Sequence, residues 1–171
     1  MATRTVTLIA IMTATALTLL PVIWRPAPRL LWNASASVPI GFYTVRPTTR
    51  LMVSELVVAI PPAPLAALLA EGGYLPRGVP LIKRIAALPG HTVCRANFVI
   101  TIEGIEIGAA LDRDHRGRPL PVWQGCEVIA EGDVFLMNWD EPASLDGRYF
   151  GSIPASSILG RAAPLWTFGE R

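Results

Sequence analysis

No charge interrupts the chain between Val6 and Trp24, where it reads "VTLIAIMTATALTLLPVIW". As a helix that run spans roughly 28 Å, close to the hydrocarbon thickness of a bilayer, about 30 Å. It is either a cleaved signal peptide or a retained anchor. Length favours the anchor, because the apolar region of a signal peptide is only about 7–15 residues. The Ala34-Ser35-Ala36 triplet, which looks like a cleavage site, lies well past Trp24, too far for a cut directly after the apolar region. Residues 1–24 are therefore expected to be a membrane anchor or signal-like segment. Residues 25–32, with the extended "RPAPR", form a juxtamembrane connector on which Trp24 and Trp32 are placed as interfacial aromatics. Residues 33–171 make the globular domain. Arg4 and the amino terminus on one side balance Arg25 and Arg29 on the other, so the positive-inside count for orientation is nearly tied.

The chain has 171 residues, 51% hydrophobic and 16% charged, enough for one domain with a real core. Its 15 Lys and Arg are scattered and give a net charge of only +2, so there is no basic stripe and nucleic acid is not an expected partner.

Beyond Gly41 the pattern is mostly short strand: "FYTV" at 42–45, "LVVAI" at 56–60, "PLIKRIAAL" at 80–88, "FVITIEGIEI" at 98–107, "CEVIA" at 126–130 and "DVFLMNW" at 133–139. Gly- and Pro-rich turns separate them at spacings typical of a mainly β barrel or sheet. "PPAPLAALLA", Pro61 to Ala70, is the one good soluble-helix candidate and ends at Gly72-Gly73. "DRDHRGRPLP" at 112–121 is polar and proline-bounded, as a surface loop would be.

The two cysteines, Cys94 and Cys126, both fall in the globular part. An even count in an exported domain favours a disulfide, and closing that loop is worth roughly 3–4 kcal/mol in the chain-entropy treatment. Two reduced buried thiols, or a metal site using His91, Cys94 and Cys126, are the alternatives. The metal reading is weak because a structural zinc site wants four ligands and no fourth is evident.

Three places could carry chemistry. In "LIKRI", strand alternation puts Leu81, Lys83 and Ile85 on one otherwise apolar face. Burial would lower the lysine pKa and leave a neutral amine able to act as a base, unless Lys83 sits on an edge strand and snorkels to water. In "NASASVPIGFY", Pro39 holds Val38 extended and Gly41 permits a tight or left-handed turn, so Ser37 is presented on a well-defined bend. Ser35, two residues earlier, projects to the same side and could join the Ser37 N–H in holding an oxyanion. In "SLDGRYFG", Ser144, Asp146 and Arg148 alternate as they would on one strand face. They could order a neighbouring amine, or simply close a loop with an Asp–Arg pair. His91 and His115 read as surface residues and offer no Ser-His-Asp arrangement. No phosphate cradle, HExxH or CxxC pair is present, and neither a cofactor nor a metal is expected.

Taken together, these stretches resemble the signal peptidase S26 family of serine–lysine proteases, most closely its conjugative-transfer branch, the TraF peptidases. "NASASVPIGFY" resembles the nucleophile box, "LIKRIAALPGHTV" the lysine box, "RGRPLPVW" a stretch typical of the TraF branch and "SLDGRYFG" the last box. The resemblance implies a mainly β, signal-peptidase-like domain with one N-terminal transmembrane helix. It implies Ser37 as nucleophile, Lys83 as general base and Asp146 as an essential acidic residue. It also implies Ser35 with the Ser37 N–H as oxyanion donors, Ser144 as the hydroxyl bonding the lysine, and Arg148 as the partner of Asp146. The implied enzyme sits in the bacterial inner membrane with its catalytic domain facing the periplasm. It would process a membrane-bound pilin precursor for conjugative type IV secretion by hydrolysis or by cyclisation. The last box, "NWDEPASLDGR", lacks the Gly-Asp-Asn lead-in of housekeeping signal peptidases, and Val38-Pro39 replaces the usual methionine after the nucleophile. A housekeeping signal peptidase and a catalytically idle envelope scaffold are the rival expectations.

Overall fold

A computed structural model describes residues 2–23 and 28–168 of the chain. Helix α1 runs from Ala2 to Ile23. Thr3–Leu20 is long and apolar enough to cross a membrane, and none of that stretch is buried against protein. The helix therefore starts earlier than the uncharged run, taking Arg4 into its first turns. The interfacial placement of Trp24 lies outside the described residues.

The strands, in chain order, are β1 (Leu30–Asn33), β2 (Ile40–Arg46), β3 (Leu56–Ala59), β4 (Leu81–Ala87), β5 (Thr92–Ala96), β6 (Val99–Ile102), β7 (Ile105–Ala109), β8 (Gly125–Val128), β9 (Asp133–Leu136), β10 (Ile153–Pro154) and β11 (Ile158–Phe168). Helix α2 (Ala63–Glu71) follows β3, and a one-turn helix α3 (Gly147–Phe150) precedes β10. One sheet has the order β1-β2-β11-β3-β4-β9-β10 and the other β7-β6-β5-β8. Every pairing between these strands is antiparallel. The long C-terminal strand β11 is inserted between β2 and β3, which ties the end of the chain to its start.

Two apolar layers hold this arrangement. Leu65 and Leu69 of α2 pack on Val57, Ile85, Val134 and Leu136 of the larger sheet. On the other side Ala87 and Phe135 meet Val93 and Ile100 of the smaller sheet. Each such side chain removed from water contributes about 1.5–3 kcal/mol. Cys94 and Cys126 stand directly opposite each other on β5 and β8 and are bridged. The bridge takes up both thiols that a His91–Cys94–Cys126 metal site would need, and the His91 Nδ1 instead accepts the Leu88 N–H at 3.4 Å.

Several expectations change. The run 98–107 is a hairpin of β6 and β7, because Glu103 and Gly104 both take positive φ, 51° and 78°, the geometry of a tight hairpin turn. Leu30–Trp32, assigned to the connector, are strand and pair with β2. Residues 144–151 are not a strand. The segment turns into α3, with Asp146 as its N-cap and the Asp146 carboxylate accepting the Arg148 N–H. The alternation of Ser144, Asp146 and Arg148 therefore reflects a helix entry rather than a strand face. His91 is half-buried rather than on the surface.

Candidate active site

The turn between β1 and β2 carries the two serines. Asn33 and Gly41 close its base as paired residues. The buried Asn33 side chain folds the turn from inside. Its Nδ2 donates to the carbonyls of Ser35, Val38 and Pro39, and its Oδ1 accepts the Ser35 N–H and hydroxyl. The Tyr43 hydroxyl also donates to the Pro39 carbonyl at 2.7 Å. Gly41 does not make the bend, as the sequence suggested. It sits in β2 at φ 153°, where a Cβ would overlap the Trp166 carbonyl oxygen, so glycine lets β11 lie close under the turn. Ser37 is half-buried, and its Oγ lies 3.1 Å from the Ser35 Oγ.

Lys83 lies on β4 with β3 on one side and β9 on the other, directly opposite Val57. A central strand gives the side chain no edge around which to reach water, and Lys83 is 3% exposed. Its ammonium donates to the Ser144 Oγ at 2.7 Å rather than to Ser37. Desolvation by burial brings its pKa from 10.5 down to about 8, with Arg148 adding to the fall while Asp146 and Glu141 oppose it. At about 1.36 kcal/mol per pKa unit, the fold disfavours the charged lysine by roughly 3 kcal/mol.

Behind Lys83 lies a buried ion pair. Asp146 and Arg148 are 0% and 1% exposed, and the Arg148 Nε and Nη2 reach the two Asp146 oxygens at 2.9 Å each. Arg148 also donates to the carbonyls of Ala109, Asn138, Glu141 and Ser144, so one guanidinium fixes the loop that carries Ser144. Asn138 links all the pieces. Its backbone N–H donates to Asp146, its Nδ2 to the carbonyls of Ser37 and Ile82, and its Oδ1 accepts the Arg84 N–H. A buried amide so fully satisfied couples the serine turn to the lysine strand.

Ser35, Ser37, Lys83 and Ser144 line one cleft of about 320 Å³. Leu69, Leu75, Leu81, Leu120 and Leu145 give it an apolar wall. The loop at 112–121 is not simply a surface loop, because Asp114, His115 and Leu120 also line this cleft. The loop is pinned by Arg118, which pairs with Asp114, stacks 4.5 Å from the Tyr74 ring and donates to the Gly72 carbonyl. The Tyr74 hydroxyl adds a bond to Asp114 at 2.9 Å. Asp146 and Arg148 stand behind the cleft, and the Cys94–Cys126 bridge belongs to the other sheet. Sequence reasoning missed Asn33 and Asn138. Both are polar residues beside strongly apolar or catalytic-looking stretches, and the "N" opening "NASAS" was the available signal for Asn33.

The family model "Signal peptidase, peptidase S26" matches residues 2–166. The conjugal transfer protein TraF of Agrobacterium fabrum is 36% identical over 148 residues, covering 80% of this chain and 81% of that protein. A probable conjugal transfer protein TraF of Sinorhizobium fredii is 31% identical over 170 residues, 94% of this chain and 88% of its own. A plasmid transfer protein TraF of Escherichia coli is 31% identical over 142 residues, 81% of this chain and 76% of its own. With the match running through the apolar helix, the serine turn, the lysine strand and the Asp–Arg pair alike, this chain belongs to the signal peptidase S26 family and stands in it beside the TraF proteins.

Proposed function

We propose that the chain is a membrane-anchored serine endopeptidase in which Ser37 is the nucleophile and Lys83 the general base. The observation that carries this reading is the buried Lys83 amine with a pKa of about 8, sharing a cleft with Ser37 and bonded to Ser144. In the first step the neutral amine takes the Ser37 proton and Oγ adds to the scissile carbonyl carbon. The Ser37 N–H meets the developing oxyanion. Collapse breaks the C–N bond, Lys83 returns its proton to the leaving amine, and the acyl group remains as an ester on Ser37. Water then releases it, or the substrate's own amino terminus attacks in its place and leaves a cyclic product. The Ser35 hydroxyl, assigned to the oxyanion by resemblance, is bonded to Asn33 in this resting state and can turn to the oxyanion only by leaving it.

The substrate is a membrane-bound pilin precursor of conjugative type IV secretion, with small residues at the cut, laid as an added strand beside the serine turn. The TraF relatives support that choice over generic secretory precursors. The enzyme sits in the bacterial inner membrane with residues 33–171 as its peptidase domain in the periplasm. The cystine bridge supports an oxidising compartment, and the unburied helix α1 supports an anchor.

The test is mass spectrometry of the pilin from cells carrying the wild-type chain, Ser37→Ala or Lys83→Ala. Processing is expected in the first and lost in both variants, which should stay folded and membrane-bound. Normal maturation with either variant would leave the scaffold reading standing. A product lighter by one water separates cyclisation from hydrolysis.

A further inference from the structure

Asn33 has no part in the chemistry just described, yet the directions of its hydrogen bonds decide which way the hydroxyl protons around Ser37 point. Its Nδ2 faces the carbonyl oxygens of Ser35, Val38 and Pro39 at 2.7, 3.0 and 3.1 Å. None of the three can donate, so this end of the amide must be the nitrogen. The other end, Oδ1, faces the Ser35 N–H at 3.2 Å and the Ser35 Oγ at 2.9 Å. An amide oxygen carries no proton, so the Ser35 hydroxyl is the donor in that bond. A hydroxyl has one proton. Only lone pairs of Ser35 remain for the Ser37 Oγ at 3.1 Å, and Ser37 must donate to Ser35.

We propose that Asn33 is a positioning residue for acylation: by accepting the Ser35 hydroxyl's hydrogen bond it makes Ser35 the acceptor that holds the Ser37 hydroxyl in place. Asn33, Ser35 and Ser37 then work as one chain of hydrogen bonds. The inference rests on the reading of Ser37 as nucleophile. While Lys83 is charged it has no lone pair to offer, and it donates a hydrogen bond to the Ser144 Oγ. Ser37 meanwhile keeps its oxygen fixed by donating to Ser35. When Lys83 is neutral and its amine closes to hydrogen-bond distance, the Ser37 O–H can turn about the Cβ–Oγ bond from Ser35 toward the amine and give up its proton. Ser35 ends the step with its own O–H still donating to the Asn33 Oδ1. A free hydroxyl in the turn would lack that fixed direction.

The experiment is a double-mutant cycle in the full-length chain in detergent micelles, following single-turnover cleavage of the pilin precursor used above. Asn33→Ala and Ser35→Ala should each lower the cleavage rate at saturating substrate about tenfold with little change in the half-saturating concentration. The double variant should be no slower than the slower single, because a chain cut at one link loses nothing more at the next. Ser35→Thr should restore most of the rate. Asn33→Asp keeps an oxygen for Ser35 but turns its other oxygen onto the carbonyls of Ser35, Val38 and Pro39, so it should lose at least as much as Asn33→Ala. Where the Asn33 variants fail to fold, the size of the Ser35→Ala loss decides the matter: about tenfold fits the hydrogen-bonded chain, and about 10²–10³ overturns it. Losses that multiply would overturn the proposal. So would a loss of about 10²–10³ for Ser35→Ala beside a wild-type rate for Asn33→Ala, which would make Ser35 an independent oxyanion donor. No cleavage by the wild-type chain would overturn the acyl-transfer reading and this proposal with it, whereas cleavage with multiplying losses overturns the proposal alone.

Discussion

Lys83 is where burial bears on chemistry, and its titration gives predictions for both rate and stability. On the proposed reading of the neutral amine as the base, cleavage should rise with pH and level off above a midpoint near 8. Asp146 opposes the fall of the lysine pKa, so Asp146→Asn should move that midpoint to lower pH in a pH–rate profile. A midpoint unchanged or raised would contradict the assigned coupling. The same shift has a stability consequence. The folded pKa is depressed, so between about 8 and 10.5 the unfolded chain binds more protons and stability rises with pH. Below pH 8 the charged lysine costs roughly 3 kcal/mol, of which an unpaired Ser144 hydroxyl would take back about 1–3 kcal/mol. Lys83→Met should therefore lose at least about 10³-fold in rate yet unfold no earlier than wild type in urea at pH 7, with its relative advantage disappearing above pH 10.5. Such an exchange of stability for reactivity is expected of a group placed for function.

Among the elements, the small sheet and the loop at 112–121 have separable roles. The Cys94–Cys126 bridge spans β5 and β8, and reducing it should lower stability by about 3–4 kcal/mol, read as a shift in the urea midpoint with and without a thiol reductant. The loop instead shapes the cleft. Asp114→Asn weakens the bonds to Arg118 and Tyr74 that pin the loop. The half-saturating substrate concentration should rise several-fold while the saturated rate stays within about twofold, since the reacting groups are untouched. Elements were legible in the sequence where a run was both apolar and long enough, as in β3, β4 and α2. β11 was missed because Pro164, the exposed Leu165 and the bulge beside it break the alternation that marks a strand. The 144–151 segment was misread because a helix cap and a strand face both space polar residues two apart.

On the scale of the whole molecule, the edge formed by β1, β2 and β11 exposes Leu30, Trp32, Leu165, Trp166 and Phe168. The Trp166 and Phe168 rings touch at 4.4 Å and Trp32 meets Phe42 at 4.8 Å, so the aromatics form one patch around the base of the serine turn. Contiguous exposed aromatics suit a membrane interface. Replacing Trp166 and Phe168 together by serine should cost about 2 kcal/mol or more of lipid contact. Cleavage of a bilayer-embedded precursor should slow, while cleavage of the same precursor in detergent should not. Equal slowing in both settings would assign the patch to folding instead.

The sequence by itself determined the local matters: an apolar run of membrane length, a strand-rich domain, and a serine, a lysine and an Asp–Arg pair spaced as in the S26 family. Each of those is written in a few adjacent residues. Only the tertiary structure decided whether Lys83 is buried, because that depends on β4 lying between β3 and β9 rather than at an edge. It likewise decided the roles of Asn33 and Asn138, since an amide's worth lies in the carbonyls and N–H groups that distant strands bring to it. Hydrogen-bond direction is a property of partners, and partners far apart in the chain meet only when it folds.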